Sequence, residues 1–410
     1  MPWHPGISLP QGRMWFTMSN MKSAPFERMS PEQKERIAYV EGREDLFETK
    51  LLRIKSAGEA RKNLLVAARD PGSGNALVPV LQELVRDLEL QVEIITDGRA
   101  KGIFQDNFQT EDITPKGSIL AAETAIGNPN AILMDKSSSE MGLDTYTAAN
   151  FAEVPKILVE DFYASSIDYL SALVKRDLPL PKKICVMDEE AKRLILQQLP
   201  QLEEIIEVTG QPAFDKFARE DTDGIAREVK SKLGLREADK LVTFMSTIDD
   251  PAAIADMAQA LRKTVGDFSS VFRRHPRDNV SYETYKEILN DAGIKIIDTN
   301  DLSTNDVGAA SDVIMTSWST EGLVGIYRRK PTLHVISPSF KIPENLMPPP
   351  PVKLGASIGV ERVEEIAEVL PQLLNEGSPL NEKLRENMER YYPADGKNAE
   401  RVADVVRRYL

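Results

Sequence analysis

The chain has 410 residues, of which 41% are hydrophobic and 28% charged, a composition typical of a folded, water-soluble protein. This length exceeds one ordinary core and predicts two domains of about 150 to 200 residues. Sixty-four acidic against 51 basic residues give a net charge of -13, which argues against a general binder of nucleic acid or anionic membranes. The single cysteine, Cys185, excludes an intramolecular disulfide and fits a reducing compartment.

The first residues, MPWHPGISLPQGRMWFTMSNMKS, lack the uninterrupted apolar region of a signal peptide, and no apolar run reaches the roughly 18 to 20 residues of a membrane span. We therefore expect a cytoplasmic protein. Met14, Met18 and Met21 are candidates for the natural start, and residues 1–24 are assigned no function. From Ser30 a capping-box start and helix-forming residues predict a helical segment, which makes residues 1–58 an N-terminal extension.

Short apolar runs then alternate with helix-length segments. In chain order the runs are NLLVAA, QVEII, AILM, KILV, KKICV and EIIEV, then LVTFM, SSVFRR, IKII, DVIMT and PTLHVI. Runs that are apolar throughout and separated by helical stretches indicate parallel strands covered on both faces. The predicted fold class is therefore α/β, with two doubly wound Rossmann-like domains that face each other across a cleft.

The domain boundary is predicted after EIIEV, where turn residues and a charged segment precede the second series of strands. This gives a first domain over residues 59–207 and a second over 208–380. Residues 381–410 are predicted as amphipathic helices, broken at Pro393, that pack back on the first domain. The four consecutive prolines in PENLMPPPPVKLGASIG are expected to forbid helix and to form an extended loop.

Ligands of open parallel sheets bind at the carboxyl ends of the strands, which selects the loops to search. After NLLVAA, the residues Gly72, Ser73 and Gly74 let the backbone turn tightly and approach a substrate or phosphate. This loop does not match G-x-G-x-x-G, because Leu77 stands at the third glycine, and it lacks a Walker-type lysine. A plain turn between strand and helix is the alternative interpretation.

Two loops of the second domain carry the stronger signal. In HPRD, His275 directly follows a strand, where an imidazole can donate to a phosphate or transfer protons near pH 7, or else cap a helix. In SWSTE, Ser317, Ser319 and Thr320 bring hydroxyls and backbone N–H groups to a helix start that attracts a phosphate. Glu321 would then accept hydrogen bonds from a ribose diol or sugar, or serve only as a dipole cap.

The second half resembles the nucleotide-binding domain of GT-B glycosyltransferases and of the related UDP-N-acetylglucosamine 2-epimerases. The resemblance rests on EVTGQPAFD at the interdomain crossing, on the His-Pro pair, and on a Ser/Thr-rich turn followed by Glu and then RKPTLHV. It implies that Gly210, Arg274 and His275 help to bind a UDP- or CMP-linked sugar. The first strand ends in AARDPGSGN instead of the G-T-R-P-E type loop of the epimerases.

The resemblance implies a glycosyltransferase that moves a sugar from a nucleotide donor to a hydroxyl acceptor. Such an enzyme needs a base from the first domain, and DKSSSEMGLD supplies Asp135, Glu140 and Asp144. Glu140 is the predicted base, His275 a second catalytic residue, and Glu160 and Asp161 are rivals for the base. The alternatives are a nucleotide-sugar 2-epimerase or hydrolase, and a protein of this fold that binds without turnover.

No residue spacing predicts a zinc site or a Ser-His-Asp hydrolase, because the three histidines are far apart and no G-x-S-x-G motif occurs. No tightly bound cofactor is expected, and a divalent ion at TIDDP is not required. The predicted partners are the nucleotide sugar and a hydroxyl acceptor, without nucleic acid. A homodimer and peripheral membrane contact are left open by the sequence.

Overall fold

The computed structural model describes residues 50–54, 62–86, 90–96, 99–113, 128–136, 153–175, 177–275, 278–297 and 302–410. The predicted base Glu140 and the predicted helix from Ser30, apart from residues 50–54, lie outside these residues. No helix within the described ranges is long and apolar enough to cross a membrane.

The first domain is built on an eight-stranded sheet with the strand order β4-β1-β3-β2-β5-β6-β7-β8. Strand β1 pairs antiparallel with β3 and β4, and the neighbours from β3 to β8 pair in parallel. The strands are β1 (Lys50–Ile54), β2 (Lys62–Ala68), β3 (Leu90–Thr96), β4 (Thr110–Asp112), β5 (Ala131–Met134), β6 (Lys156–Val159), β7 (Lys183–Val186) and β8 (Ile206–Val208).

The second domain is built on a six-stranded parallel sheet with the order β11-β10-β9-β12-β13-β14. This is the doubly wound order 3-2-1-4-5-6, in which the direction of winding reverses between the first and fourth strands, here β9 and β12. The strands are β9 (Leu241–Met245), β10 (Ser269–Arg273), β11 (Lys295–Ile297), β12 (Val313–Thr316), β13 (Thr332–Val335) and β14 (Ile358–Val360).

Helices connect the strands and cover the two sheets. In the first domain they are α1 (Pro71–Leu84), α2 (Ala100–Asn107), α3 (Ile167–Lys175) and α4 (Glu189–Gln198). In the second domain they are α5 (Thr222–Lys232), α6 (Pro251–Lys263), α7 (Tyr282–Asn290), α8 (Thr304–Ala310), α9 (Thr320–Tyr327), α10 (Pro350–Lys353) and α11 (Ile366–Leu374). Helices α12 (Pro379–Tyr391) and α13 (Asn398–Arg407) end the chain.

Two local predictions are wrong. Strand β1 lies where the sequence predicted helix, because KLLRI buries Leu51, Leu52 and Ile54 as it pairs with β3 on one side and β4 on the other. The proline run does not exclude helix either, since α10 starts at Pro350. Proline is tolerated in a first helical turn, where the backbone N–H has no intrahelical acceptor.

The last helix packs against the first sheet. Val402, Val405 and Val406 of α13 are buried in one cluster with α1 and the strands β2, β3 and β5. Helix α12 instead contributes Leu384 and Met388 to the core that includes the second sheet. The chain therefore enters the second domain after β8 and returns to the first between α12 and α13.

The two crossings between the domains lie against each other. The outgoing crossing leads from β8 into the second domain. On it, Asp215 accepts hydrogen bonds from the backbone N–H groups of Asn398 (3.0 Å) and Ala399 (2.8 Å) and so caps α13. The Asn398 side chain donates to the carbonyl of Gln211 (3.2 Å). Gly210 has φ of 86° and lies so close to Asn398 that a Cβ would overlap it, so this glycine serves backbone packing at the crossing.

Candidate functional site

The loops selected from the sequence converge at the carboxyl edges of the two sheets. In the second domain, the segments after β9, β10 and β12 start at Ser246, Arg274 and Ser317, and these strands are direct neighbours. In the first domain, the order reverses between β2 and β5, which are followed by Arg69 and Asp135. Each domain thus has the crevice at which doubly wound sheets bind ligands.

The two carboxyl edges meet across the domain boundary. Phe162, which follows β6, contacts Trp318, which follows β12, edge to face with 6.0 Å between the ring centroids. One residue further, the hydroxyl of the buried Tyr163 lies 2.9 Å from that of Tyr392, at the end of α12. The loops after β6 and β12 therefore border one cleft between the domains.

Three carboxyl groups gather on the first-domain side of this cleft. Burial raises the pKa of Asp135 well above its usual value, and the Asp161 carboxylate nearby raises it further. Burial raises the pKa of Glu160 from 4.5 to about 8, although the hydroxyl and N–H of Ser166 bond its Oε1 at 2.7 and 3.2 Å. Burial also raises the pKa of Asp161, but this residue is only half-buried.

The two buried acids each keep one oxygen without a hydrogen-bond donor. Asp135 Oδ1 accepts from the backbone N–H of Lys136, whereas Asp135 Oδ2 and Glu160 Oε2 are buried and have no donor among the described residues. A buried carboxylate oxygen without a donor is costly, and protonation removes that cost. The buried oxygens thus favour the protonated forms of Asp135 and Glu160, and Asp161, the most accessible of the three, is the acid best placed to carry a negative charge.

The glycine-rich turn packs directly on these acids. Gly72 lies so close to Asp161 that a Cβ would overlap the carboxylate, so glycine is required for the close approach of α1 to the loop after β6. Ser73 is fully buried beside them. Gly74 instead faces Ile103 of α2, a packing contact away from the acids. The turn thus supports the acid loop, and only its first two residues reach it.

Sequence reasoning missed a residue that holds this loop in place. Gln211, on the outgoing crossing, donates from Nε2 to the carbonyls of Glu160 (3.2 Å) and Asp161 (2.8 Å). It is 1% exposed, so these bonds are shielded from water. The signal in the sequence was its place beside Gly210 in the crossing motif, but nothing in the pattern specified its partners.

On the second-domain side, Ser317 does not occupy the position expected of a phosphate ligand. It is fully buried, and its hydroxyl bonds Asp249 Oδ1 at 2.9 Å and the hydroxyl of Thr247. Asp249 also accepts from Thr247 N–H (2.9 Å) and Ser246 (3.2 Å). Ser317 therefore ties the loop after β12 to the loop after β9, which explains its hydroxyl by internal structure.

The other two hydroxyls of this turn start helix α9 and are accessible. Ser319 is the N-cap, and its Oγ accepts from the N–H of Glu321 at 3.3 Å. Thr320 is exposed at the first helical position. Ser319 retains its hydroxyl proton and Thr320 its whole hydroxyl, so both remain able to donate to a ligand at the positive end of the helix.

Glu321 has a buried oxygen, Oε2, that accepts no hydrogen bond from any described residue. Burial raises the pKa of Glu321, while the cations Arg328, Lys216 and Arg273 lower it. Arg328 makes its observed hydrogen bonds elsewhere, to both oxygens of Glu220 at 2.6 and 2.7 Å and to the Asn305 carbonyl at 2.9 Å. A hydroxyl of a bound ligand is the type of group that would satisfy this oxygen.

Basic residues follow β10 at the same edge. Arg273, the last residue of β10, is 3% exposed, and its charge acts on Glu321. Arg274 donates to the carbonyl of Asp278 at 2.9 Å, and the His275 carbonyl accepts from the N–H of Asp278 at 3.0 Å. Arg274 and His275 are both half-buried, and these bonds connect them to Asp278. Within the described residues, no three His, Cys, Asp or Glu side chains are grouped so as to hold a metal ion.

The proton on Glu160 predicts a pH dependence of stability. Its folded pKa of about 8 exceeds the usual 4.5, so between these values the folded protein binds more protons than the unfolded chain. The free energy of unfolding should therefore fall as pH rises, by up to about 1.4 kcal/mol per pH unit from this group. Glu160→Gln, which imitates the protonated acid, should lose that slope.

Urea denaturation of the wild type and of Glu160→Gln at pH 5, 6.5 and 8 measures the difference. Acids that do not interact with Glu160 titrate alike in both proteins and cancel in the comparison. Parallel pH profiles of the two proteins would show that Glu160 is ionised in the folded state at neutral pH.

Comparisons with known proteins bear on the fold. Neither protein-family models nor curated sequences give a match, but many solved structures do. S. aureus MnaA with UDP is 18% identical, with a TM-score of 0.61 over 85% of this chain and 97% of that one. UDP-GlcNAc 2-epimerase from Neisseria meningitidis, bound to UDP-GlcNAc, is 14% identical, with a TM-score of 0.61 over 85% and 99%.

A glycosyltransferase structure from Rickettsia africae is 13% identical, with a TM-score of 0.57 over 85% of this chain and 97% of that one. Identities this low show the fold alone. The agreement over nearly the whole length of each structure confirms the predicted fold class. The chain therefore has the two-domain GT-B-like fold that these glycosyltransferase and UDP-GlcNAc 2-epimerase structures share.

Proposed function

We propose that the protein is a glycosyltransferase that binds a nucleotide sugar in the cleft between its two sheets and transfers the sugar to a hydroxyl acceptor. The observation that carries this proposal is that the carboxyl edges of the two sheets border the same cleft and present different chemical groups to it. The first-domain edge holds Asp161 beside Asp135 and Glu160, two buried acids whose pKa values are raised by burial. The second-domain edge offers a helix start with accessible hydroxyls and a carboxylate oxygen without a donor among the described residues.

The donor would bind to the second domain. The first-turn N–H groups of α9, with the hydroxyls of Ser319 and Thr320, would hold phosphate oxygens. Arg274 and His275, which follow β10 two strands away in the sheet, would add positive charge and donors. Glu321 would accept hydrogen bonds from the ribose hydroxyls. The sequence assigned Ser317 the same role, but its bonds to Asp249 and Thr247 support only an indirect one.

The acceptor would bind on the first-domain side, where Asp161 is the base we propose. As the acceptor oxygen bonds to the anomeric carbon, its proton passes to the Asp161 carboxylate. The bond from the anomeric carbon to the phosphate oxygen breaks, and the nucleotide leaves with the electron pair. A base works best when its pKa lies near the working pH, and burial moves the pKa of Asp161 in that direction.

A specific observation favours a second candidate, a nucleotide-sugar epimerase or hydrolase. Such reactions use an acid together with a base, and the pKa of about 8 makes Glu160 a proton donor beside the base Asp161. Glycosyl transfer needs only the base. The two candidates therefore differ in their demand for the Glu160 proton.

Incubation with UDP- and CMP-linked sugars, with and without a panel of sugar and lipid hydroxyl acceptors, tests the proposal. Nucleotide release that requires an acceptor, with a new glycoside detected by mass spectrometry, is expected. A changed or hydrolysed sugar without acceptor would favour the second candidate. Binding of nucleotide without any turnover across the panel would contradict both enzymatic candidates.

The role of Glu321 gives a separate prediction. In Glu321→Gln, nucleotide affinity should fall by about 1.5 to 3 kcal/mol, because a charged acceptor of ribose hydroxyls is lost. Stability should hold or rise, because the substitution removes a desolvated carboxylate whose Oε2 receives no bond from the described part of the chain. Calorimetric titration with UDP and CMP, together with thermal unfolding, measures both quantities.

Glu283 provides a matched control for this change. It occupies the same position of α7 as Glu321 does of α9, the second residue after a serine N-cap, and it is exposed. Glu283→Gln should cost about 0.3 to 1 kcal/mol of stability through the helix dipole and leave affinity unaltered. If both variants lose stability alike and neither loses affinity, Glu321 is a dipole cap only.

A further inference from the structure

A cavity of about 210 Å³ lies at the other end of the second sheet. Lys240, Asp312 and Pro331, which immediately precede β9, β12 and β13, form one side, and residues of α11 and α12 form the other. We call it the amino-edge cavity. Because it borders the amino ends of the strands, it is separated by the length of the sheet from the carboxyl edge where we propose that the nucleotide binds.

The cavity has more cations than carboxylates to pair with them. Among the described residues, Lys240 bonds both Asp312 (3.1 Å) and Glu376 (2.9 Å), which accounts for the two acids of the lining. Arg385 donates to the backbone carbonyl of Glu376, at 2.7 Å. Lys330 makes no side-chain hydrogen bond or ion pair within the part of the chain that the structure describes.

Two polar groups of the lining lack a partner among the described residues, the Lys330 ammonium and the Asn381 side-chain oxygen, and of these only the ammonium attracts an anion. Lys330 is half-buried, and burial lowers its pKa. The Asn381 side chain is 3% exposed and donates to the carbonyls of Gln372, Leu373 and Asn375, which fixes its amide orientation. Its Oδ1 is consequently a buried acceptor that receives no hydrogen bond from the described ranges of the chain. Both groups line the cavity.

Arg329, which donates to the carbonyls of Ile326 and Tyr392, also lines the cavity, and the remaining residues are apolar. Leu373, Leu384 and Met388 form an apolar wall on the side of α11 and α12, and all three are buried. The volume equals that of about seven waters and is below the roughly 300 Å³ at which pockets for drug-sized ligands begin, so a nucleotide sugar is too large. A ligand that fits both walls has an anionic head and a short apolar body.

We propose that the amino-edge cavity is a binding site for a small organic anion, a phosphate monoester or a carboxylate. Its charged head contacts Lys330 and Arg385, and its apolar body packs on Leu373, Leu384 and Met388. The site does not depend on the proposed glycosyltransferase activity, because none of its residues belongs to the cleft between the domains.

Phenyl phosphate and benzoate are suitable probes, with inorganic phosphate and phenol as controls, all at one ionic strength. We expect calorimetry to show that at least one aromatic anion binds about tenfold more tightly than inorganic phosphate, and that phenol does not bind. The two anions distinguish a site for phosphate monoesters from one for carboxylates. Binding of neither anion at millimolar concentration would overturn the proposal.

Lys330→Met tests the position of the site, because methionine keeps the apolar stem and removes the charge. Affinity for the better probe should fall about tenfold or more, the loss expected for a hydrogen bond to a charged group. Melting temperature without probe should hold or rise, because a half-buried ammonium has been removed. The fold is thereby shown to be intact in the same experiment.

Two further variants show whether the probe binds in the amino-edge cavity or at another part of the surface. Lys286, an exposed lysine of α7 that lies 3.7 Å from Glu283, provides the matched charge control, and Lys286→Met should leave affinity unchanged. The double change Ser319→Ala, Thr320→Ala alters the proposed nucleotide site and should also leave it unchanged. Loss of affinity in the double variant, or equal loss in both lysine variants, would place the anion elsewhere.

Discussion

Asp161→Asn is expected to lower turnover by about 10²- to 10⁴-fold, the usual contribution of a positioned general base. Asparagine keeps the shape of the side chain against Gly72, so the approach of α1 to the loop is retained. Nucleotide affinity should be nearly unchanged, because the donor is bound by the other domain. Steady-state kinetics and nucleotide titration measure the two effects.

The assignment of Asp161 as the base also predicts how enzyme activity changes on the acidic side of its pH profile. Asp161 must be ionised to accept a proton, and burial raises its pKa above the usual 3.8. Activity should therefore rise with pH through an apparent pKa above that value, which belongs to the coupled acids together. Asp168→Asn, at an exposed carboxylate in the first turn of α3, is the control and should retain full activity. Equal activities of the two variants would exclude Asp161 as the base.

Glu160→Gln then distinguishes the two reactions. A transferase that uses only the base should keep most of its activity, since glutamine imitates the protonated acid. An epimerase or hydrolase that draws its proton from Glu160 should lose the group that donates. Its wild-type activity should also decline as pH rises through about 8, where Glu160 loses that proton. The substitution thus has opposite consequences for the two candidates.

The sequence was sufficient to predict the fold because buried parallel strands leave a strong pattern. Every apolar run that it identified as a strand is a strand, since apolar side chains must face helices on both sides of the sheet. The strands β1, β4 and β14 were missed. Strand β4 is a short edge strand with exposed residues, β1 has lysine and arginine among its apolar residues, and β14 has three residues after the proline run, so none of them has a continuous apolar run.

The pattern of buried strands also predicted which edges of the sheets border the candidate site. It did not predict the roles of single residues there. The position of Ser317 after a buried strand suggested a ligand, whereas its hydroxyl faces Asp249, which lies 68 residues earlier in the chain. The burial of Asp135 and Glu160 likewise depends on packing between segments that are distant in the chain. Such contacts are set by tertiary structure, and a single sequence carries no local signal for them.

Gly210 is the clearest example of a residue whose role is set by tertiary contacts, and its substitution should cause a large loss of stability. Its motif suggested nucleotide binding, but the structure gives it a packing role against Asn398 at φ of 86°. Gly210→Ala should lower the free energy of unfolding by about 2 to 5 kcal/mol, from left-handed backbone strain and overpacking together. Urea denaturation measures this loss.

Gly234 isolates the two contributions, because its φ is 75° and no atom of the described residues lies within 4 Å of the position of a Cβ. Gly234→Ala should therefore cost only the strain, about 1 to 2 kcal/mol.

Adding Asn398→Ala to Gly210→Ala should restore part of the stability, although Asn398→Ala alone loses the bond to the Gln211 carbonyl. Recovery in the double variant would show that the outgoing and returning crossings share one tightly packed contact. Since the adjacent Gln211 holds the backbone of Glu160 and Asp161, that contact would also fix the acids at the cleft. Additive losses in the double variant would mean that the two crossings are energetically independent.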